Sequence, residues 1–246
     1  MEHYIGEPDS QIDFWHHQEL PNDCAIVAQM STINQYLDHP ITEAQAIYDA
    51  MSHGWLAPGG TDPSDVGKLF DLYNVPYHRV DGASVEQLVG ELQEGHRVIV
   101  GVNSSELWAS GPLEELGLWL KKEFGLDNAF SSPADHAVCV TGVDISDPAH
   151  PMVIVNDPGD PAGAGKAYPA DRFVDAWENS NFYYVATNSA PLGVAQAGID
   201  LGKVLGIGTT LATSAFGLNP ALATMAGEAV QEIVDHVDWK EVWAAI

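Results

Sequence analysis

Residues 18–29 read Gln-Glu-Leu-Pro-Asn-Asp-Cys-Ala-Ile-Val-Ala-Gln, and the cysteine at position 24 stands where a loop gives way to a helix. From Cys24 onward, Ala25, Ile26, Ala28, Met30, Ile33 and Leu37 form an apolar stripe at steps of three and four. Asn22 or Asp23 is placed to cap that helix. A cysteine in the first turn sits in the positive end of the helix dipole, which favours the thiolate, the form that attacks. On its own such a cysteine reads equally as a small buried hydrophobe. The decision needs the residues that could meet it.

Working outward, residues 42–52 predict a helix with Thr42 as cap. Asp62 and Pro63 mark a further helix start, running to about Asn74 before Pro76. Residues 84–94 and 113–124 read as helices. Residues 97–103, Arg-Val-Ile-Val-Gly-Val-Asn, read as a buried strand. Two more strands follow, His136 to Ile145 and Met152 to Asn156, with Asp147-Pro148 as the turn between them. A short helix at 171–178 and a strand at 182–187 close the pattern. Helices come first and strands cluster later, which is an α+β order rather than alternating βαβ units.

His136 opens its strand and follows the loop 131–135, so it is placed to face a cleft. Cys139 is three residues on and points to the other face, as a buried core residue rather than a nucleophile or a disulfide partner of Cys24. Asp157 ends the next strand, before Pro158-Gly159. A carboxylate there can accept the second ring N–H of His136 and fix its tautomer. Asn156 is an alternative for that role, and simple turn chemistry is the bland reading of Asp-Pro-Gly. Gln18, six residues before Cys24, can fold its amide over the thiolate. With the backbone N–H of the nucleophile it would form an oxyanion hole.

Taken together, these segments resemble the double-glycine leader peptidase-like, or bacteriocin-processing peptidase-like, branch of the papain-fold cysteine peptidases. The resemblance is carried in order by QELPNDCAIVAQ, by DHAVCVTGVD, by VIVNDPG and by YPADRFVDAWENSNFYYVA, across about residues 10–188. It implies Cys24 as nucleophile, His136 as base, Asp157 as orienting acid and Gln18 for the oxyanion hole. It also implies a peptide or protein substrate with a preference for small residues such as Gly-Gly. One position departs from the family: Ala25 stands where glycine usually follows the nucleophile. The same fold hosts isopeptidases, acyltransferases and inactive relatives that act as binding modules.

The chain of 246 residues carries 9 Lys+Arg against 35 Asp+Glu, a formal net charge of −26. Such a surface repels phosphate backbones and anionic lipid, so neither a nucleic acid nor a membrane is expected as partner. The N-terminus has no basic n-region and no apolar run, which points to a cytoplasmic location unless export takes an unusual route. The ten histidines show no metal-ligand spacing, and His16 and His17, being adjacent, point apart. Asp144, Asp147, Asp157 and Asp160 lie in two acidic loops that lack the EF-hand pattern. No metal and no cofactor are therefore expected. Residues 1–190 form the expected papain-like domain, and residues 191–246 a Gly/Ala-rich helical segment. Within that segment Val204–Gly227 is uncharged but interrupted by Asn219-Pro220, and reads as two packed helices. Trp239 and Trp243 lie four apart on one helix face and mark a possible partner surface. The loops 55–62 and 103–111 are candidates for setting specificity.

Overall fold

The computed structural model describes residues 4–109 and 133–192. Seven strands form one sheet: β1 Tyr4–Gly6, β2 Tyr77–Val80, β3 Val98–Val102, β4 His136–Asp144, β5 Met152–Asn156, β6 Lys166–Pro169 and β7 Tyr184–Thr187. The order across the sheet is β2-β7-β3-β4-β5-β6, and β1 pairs with the far end of β4. Every pairing is antiparallel. The helices are α1 Pro8–Gln11, α2 Cys24–Ile33, α3 Glu43–Ser52, α4 Lys68–Leu72, α5 Val85–Gln93, α6 Ser104–Leu107 and α7 Ala170–Glu178. The architecture is α+β, as the helix-then-strand order implies.

The register explains how the sheet covers both faces. Ile99 lies opposite both Cys139 and Val185, so these three share a face by the two-residue period of a strand. They are buried in one cluster with Ala137 and with the apolar residues of α2, α3 and α4. The alternate residues Val98, Val100, Val138, Val140, Tyr184 and Ala186 are buried on the opposite face. There α5 and α7 contact β3, and the fully buried Trp177 of α7 packs against Phe173 and Phe182.

Helix α2 is enclosed on all sides: every residue from Ala25 to Ile33 is buried. Its one long polar side chain in the interior, Gln29, is satisfied. Its Nε2 donates to the Ala25 carbonyl, and its Oε1 accepts from the N–H groups of Gly67 and Leu69. That tie fixes α2 to α4. The predicted helix over residues 63–74 is broken here. Asp62 caps a single 3-10 turn, Pro63–Asp65, and Gly67 adopts φ +96° before α4 begins. A Cβ at Gly67 would lie 2.5 Å from the Tyr77 ring, which Arg79 and Asp71 hold in place.

The expected Thr42 cap forms, and Ser84 makes a reciprocal capping box with Gln87 at the start of α5. The expected cap of α2 does not form. Asn22 instead donates to the carbonyls of Ala57 and Pro58, and Asp23 holds the capping position with its backbone carbonyl, its side chain bonding no helix N–H. The short strands β1, β2 and β6 are additions to the sequence reading. The predicted helix at 113–124 and everything from 193 on, Trp239 and Trp243 included, lie outside the described residues. Among the described residues no helix is long and apolar enough to cross a membrane.

Gly67→Ala is expected to lower stability by about 2 kcal/mol or more, from left-handed backbone strain plus the contact with Tyr77. Urea unfolding of the two proteins measures it, and an unchanged midpoint would contradict this account of the break.

Candidate active site

Cys24 is the first residue of α2 and is half-buried, with a free thiol. Position in the first turn leaves its backbone N–H outside the intrahelical ladder. His136 is the first residue of β4 and pairs with Val102 at the end of β3. Asp157 follows the last residue of β5 and has no solvent exposure. The sheet brings the ends of β4 and β5 together, and His136 Nε2 lies 2.6 Å from Asp157 Oδ1.

That leaves Nδ1 as the second ring nitrogen, and the Cys24 thiol is near enough to the imidazole to help raise its pKa. Burial by itself pulls the His136 pKa down. Hydrogen bonds to Asp157 and Cys24, with their charges, overcome it and push the value up to about 10. For Asp157 burial works in the opposite direction, raising the pKa, yet His136, the Trp108 indole and the Gly159 N–H together hold it below the usual carboxylate range.

The Asp157 carboxylate is held by four donors. Besides His136, Gly159 N donates to Oδ1 at 2.9 Å, Trp108 Nε1 to Oδ2 at 2.8 Å, and Tyr168 OH to Oδ2 at 3.4 Å. The backbone of the same residue is also anchored, by Trp15 Nε1 to its carbonyl at 2.7 Å. Asn156 does not compete for the histidine: it donates to the Gln11 carbonyl and accepts from Gly165 N.

Gln18 is placed by its backbone N–H, which donates to the Pro158 carbonyl beside Asp157. Its Nε2 donates one hydrogen to the Leu20 carbonyl at 2.6 Å, and an amide nitrogen has a second to give. Gln18, Pro21, Ser104, Trp108, Asp135, His136 and Gly159 line an open cavity of about 340 Å³. Cys24 stands beside His136 and is not among the lining residues. Gly159 is there because nothing larger fits: a Cβ would lie 2.7 Å from His136 Cε1 and 3.2 Å from Trp108 Cζ2.

Cys139 is buried against α2. Its Sγ lies 3.4 Å from the Ala28 carbonyl and 3.9 Å from Thr32 Oγ1, and burial pushes its thiol up to about 12. The acidic-loop residues are engaged locally. Asp144 and Asp147 accept backbone N–H groups of their own turns, and Asp160 accepts Ala162 N and Lys166.

A family model described as "Peptidase_C39 like family" matches residues 10–185. The chain belongs to the Peptidase_C39 like family. Curated relatives include uncharacterised proteins of Mycobacterium tuberculosis and Mycobacterium bovis. They are 28% identical over 211 residues, covering 74% of this chain and 83% of theirs. Among solved structures, a Bacillus anthracis protein described as a C39-like peptidase superposes with a TM-score of 0.50 at 13% identity, over 73% of this chain and 96% of that one. The family and the fold are thus those of cysteine-peptidase-like proteins.

Sequence reading missed Trp108 and Trp15. Trp108 packs on His136, ring centroids 5.1 Å apart, while bonding Asp157. Nothing in the local pattern Asn-Ser-Ser-Glu-Leu-Trp marks that tryptophan as part of a charge network, because its partners are supplied by distant strands.

The paired histidine has a consequence for stability. Unfolded, His136 titrates near its ordinary 6.5, and folded near 10. Its raised value contributes stability that is complete below about pH 6.5 and is lost as pH rises to about 10. The melting temperature is therefore expected to fall more between pH 7 and 10 in the wild type than in His136→Ala. Parallel falls would show that the proton is not held.

Proposed function

We propose that this protein is a cysteine peptidase in which Cys24 is the nucleophile, His136 the general acid and base, Asp157 the group that orients the histidine, and Gln18 an oxyanion donor. The observation that carries the reading is an imidazole held on one nitrogen by a buried carboxylate, with a half-buried thiol at a helix N-terminus near enough to help raise its pKa. That is the arrangement thiol-mediated acyl transfer needs.

The thiolate attacks the substrate carbonyl carbon, a C–S bond forms, and the carbonyl π pair moves to oxygen. The Cys24 N–H and the second Gln18 amide hydrogen stabilise that oxyanion. As the carbonyl re-forms, the C–N bond breaks and the His136 imidazolium gives its proton to the leaving amine. The neutral imidazole then takes a proton from water, and the resulting hydroxide attacks the thioester. The C–S bond breaks, the acid leaves, and the thiolate–imidazolium pair is restored. Asp157 stays ionised throughout and keeps His136 in one orientation. No metal or cofactor takes part in these steps.

The family resemblance supports small residues at the cleaved bond, and Trp108 and Gly159 leave little width next to His136. The substrate is proposed to be a peptide or protein, and the location cytoplasmic.

The test is cleavage of a mixture-based peptide library, read by mass spectrometry, with and without hydroxylamine. Cys24→Ala is expected to abolish cleavage, and Gln18→Ala to slow it about 10²–10³-fold. Hydroxamate products would report the thioester and separate transfer to amines from transfer to water. Cleavage that persists in Cys24→Ala would end this reading.

A further inference from the structure

Asp23, immediately before Cys24, has no solvent exposure, and neither of its carboxyl oxygens has a hydrogen-bond partner. Its side chain caps nothing. Its carboxyl lies within hydrogen-bonding reach of the Glu43 carboxyl, which is buried as well. Glu43 in turn faces the surface loop before α2. His16 Nε2 lies 2.6 Å from its Oε2, and Glu19 N donates to its Oε1 at 2.7 Å. One ligand atom each from His16, Glu19 and Glu43 falls within 4.8 Å of the others, the only such group among the described residues. His16 is 43% exposed and Glu19 is exposed, so the group opens to solvent while Glu43 and Asp23 close its floor.

Two carboxyl groups packed side by side out of water call for a positive charge or donors nearby. The His16 imidazole already reaches the Glu43 carboxylate from the solvent side. We infer that His16, Glu19 and Glu43 bind a first-row divalent transition cation such as Zn²⁺ or Mn²⁺, with Asp23 as the buried counter-charge behind Glu43. An imidazole nitrogen with carboxylate oxygens suits these ions better than Ca²⁺ or Mg²⁺, which take oxygen alone. Ligand atoms 2.0–2.2 Å from a tetrahedral ion stand about 3.3 Å apart. The His16–Glu43 separation must therefore open by a fraction of an ångström, and His16 lies on an irregular loop that can give it. Asp23 lies between the Glu43 carboxyl and the helix start at Cys24. A cation there offsets the carboxylate charge at the positive end of α2, where it would oppose a thiolate. That last effect rests on the proposed peptidase chemistry; the binding does not.

The test uses the full chain as Cys24→Ala, so that the thiol cannot act as a ligand, stripped of metal and titrated with ZnCl₂ by calorimetry. The same protein is melted with and without zinc. One equivalent is expected to bind and raise the melting temperature. His16→Ala in that background should lose this equivalent and its thermal shift, with affinity falling by more than the 10–100-fold typical of a lost outer-shell partner. Glu19→Gln, an exposed isosteric change that leaves the fold alone, should weaken binding as well. Weak binding at other histidines affects all these proteins alike. Equal stoichiometry and affinity with and without His16 and Glu19, or no binding by the parent, would overturn the inference. Because none of these proteins has the thiol, either result leaves the hydrolase reading to be decided separately.

Discussion

Asp157 keeps its negative charge at a point with no solvent exposure, and the cleft is arranged around holding that charge. A carboxylate withdrawn from water is destabilised by several kcal/mol unless donors replace the lost hydration. Here the donors come from four places in the chain: the imidazole of β4, the indole after α6, the backbone at Gly159 and the phenol of β6. Each is fixed by its own element, so the carboxylate in turn fixes them. His136 gains an orientation, Trp108 is laid across the imidazole, and the 158–159 turn is drawn close enough that only glycine fits. The Gln18 backbone then hangs from the neighbouring Pro158 carbonyl.

The thiol arrives by a different route. Helix α2 is buried along its whole length, which is a strong constraint on where its first residue can stand. Its body packs on β4 through Ala137 and Cys139, and its polar Gln29 is bolted to the start of α4. The helix therefore delivers Cys24 next to the first residue of the strand it lies on. Two cysteines thus acquire opposite characters. Cys24 is accessible at the helix end, whereas Cys139 sits in the core with its thiol pushed up to about 12.

Much of this was legible in the chain itself. The 3.6-residue stripe after Cys24 and the β-branched runs at 98–102, 136–144 and 152–156 fix the α+β order. The family resemblance implies the four residues proposed for the site. What was hidden depends on tertiary neighbours. The helix expected to 74 breaks at Gly67, because the Tyr77 ring and Gln29 take the space and the N–H that a continuous helix would use. Asp23 reads as a cap but turns towards Glu43, twenty residues on, a partner no local pattern indicates. Trp108 and Trp15 look like loop aromatics until the β5 end is placed against them. The three short strands have too few residues to show a period.

The central claim is that Cys24 and His136 act as a pair. The most direct measurement is the rate of iodoacetamide alkylation of Cys24 across pH 5–9, in the wild type and in His136→Ala, with the modified residue identified by mass spectrometry. A paired thiolate predicts rapid alkylation that persists at pH 6 in the wild type and falls at least about tenfold there when His136 is removed. Rates that follow an ordinary free thiol and do not change in His136→Ala would contradict the account, leaving a peptidase fold without the chemistry.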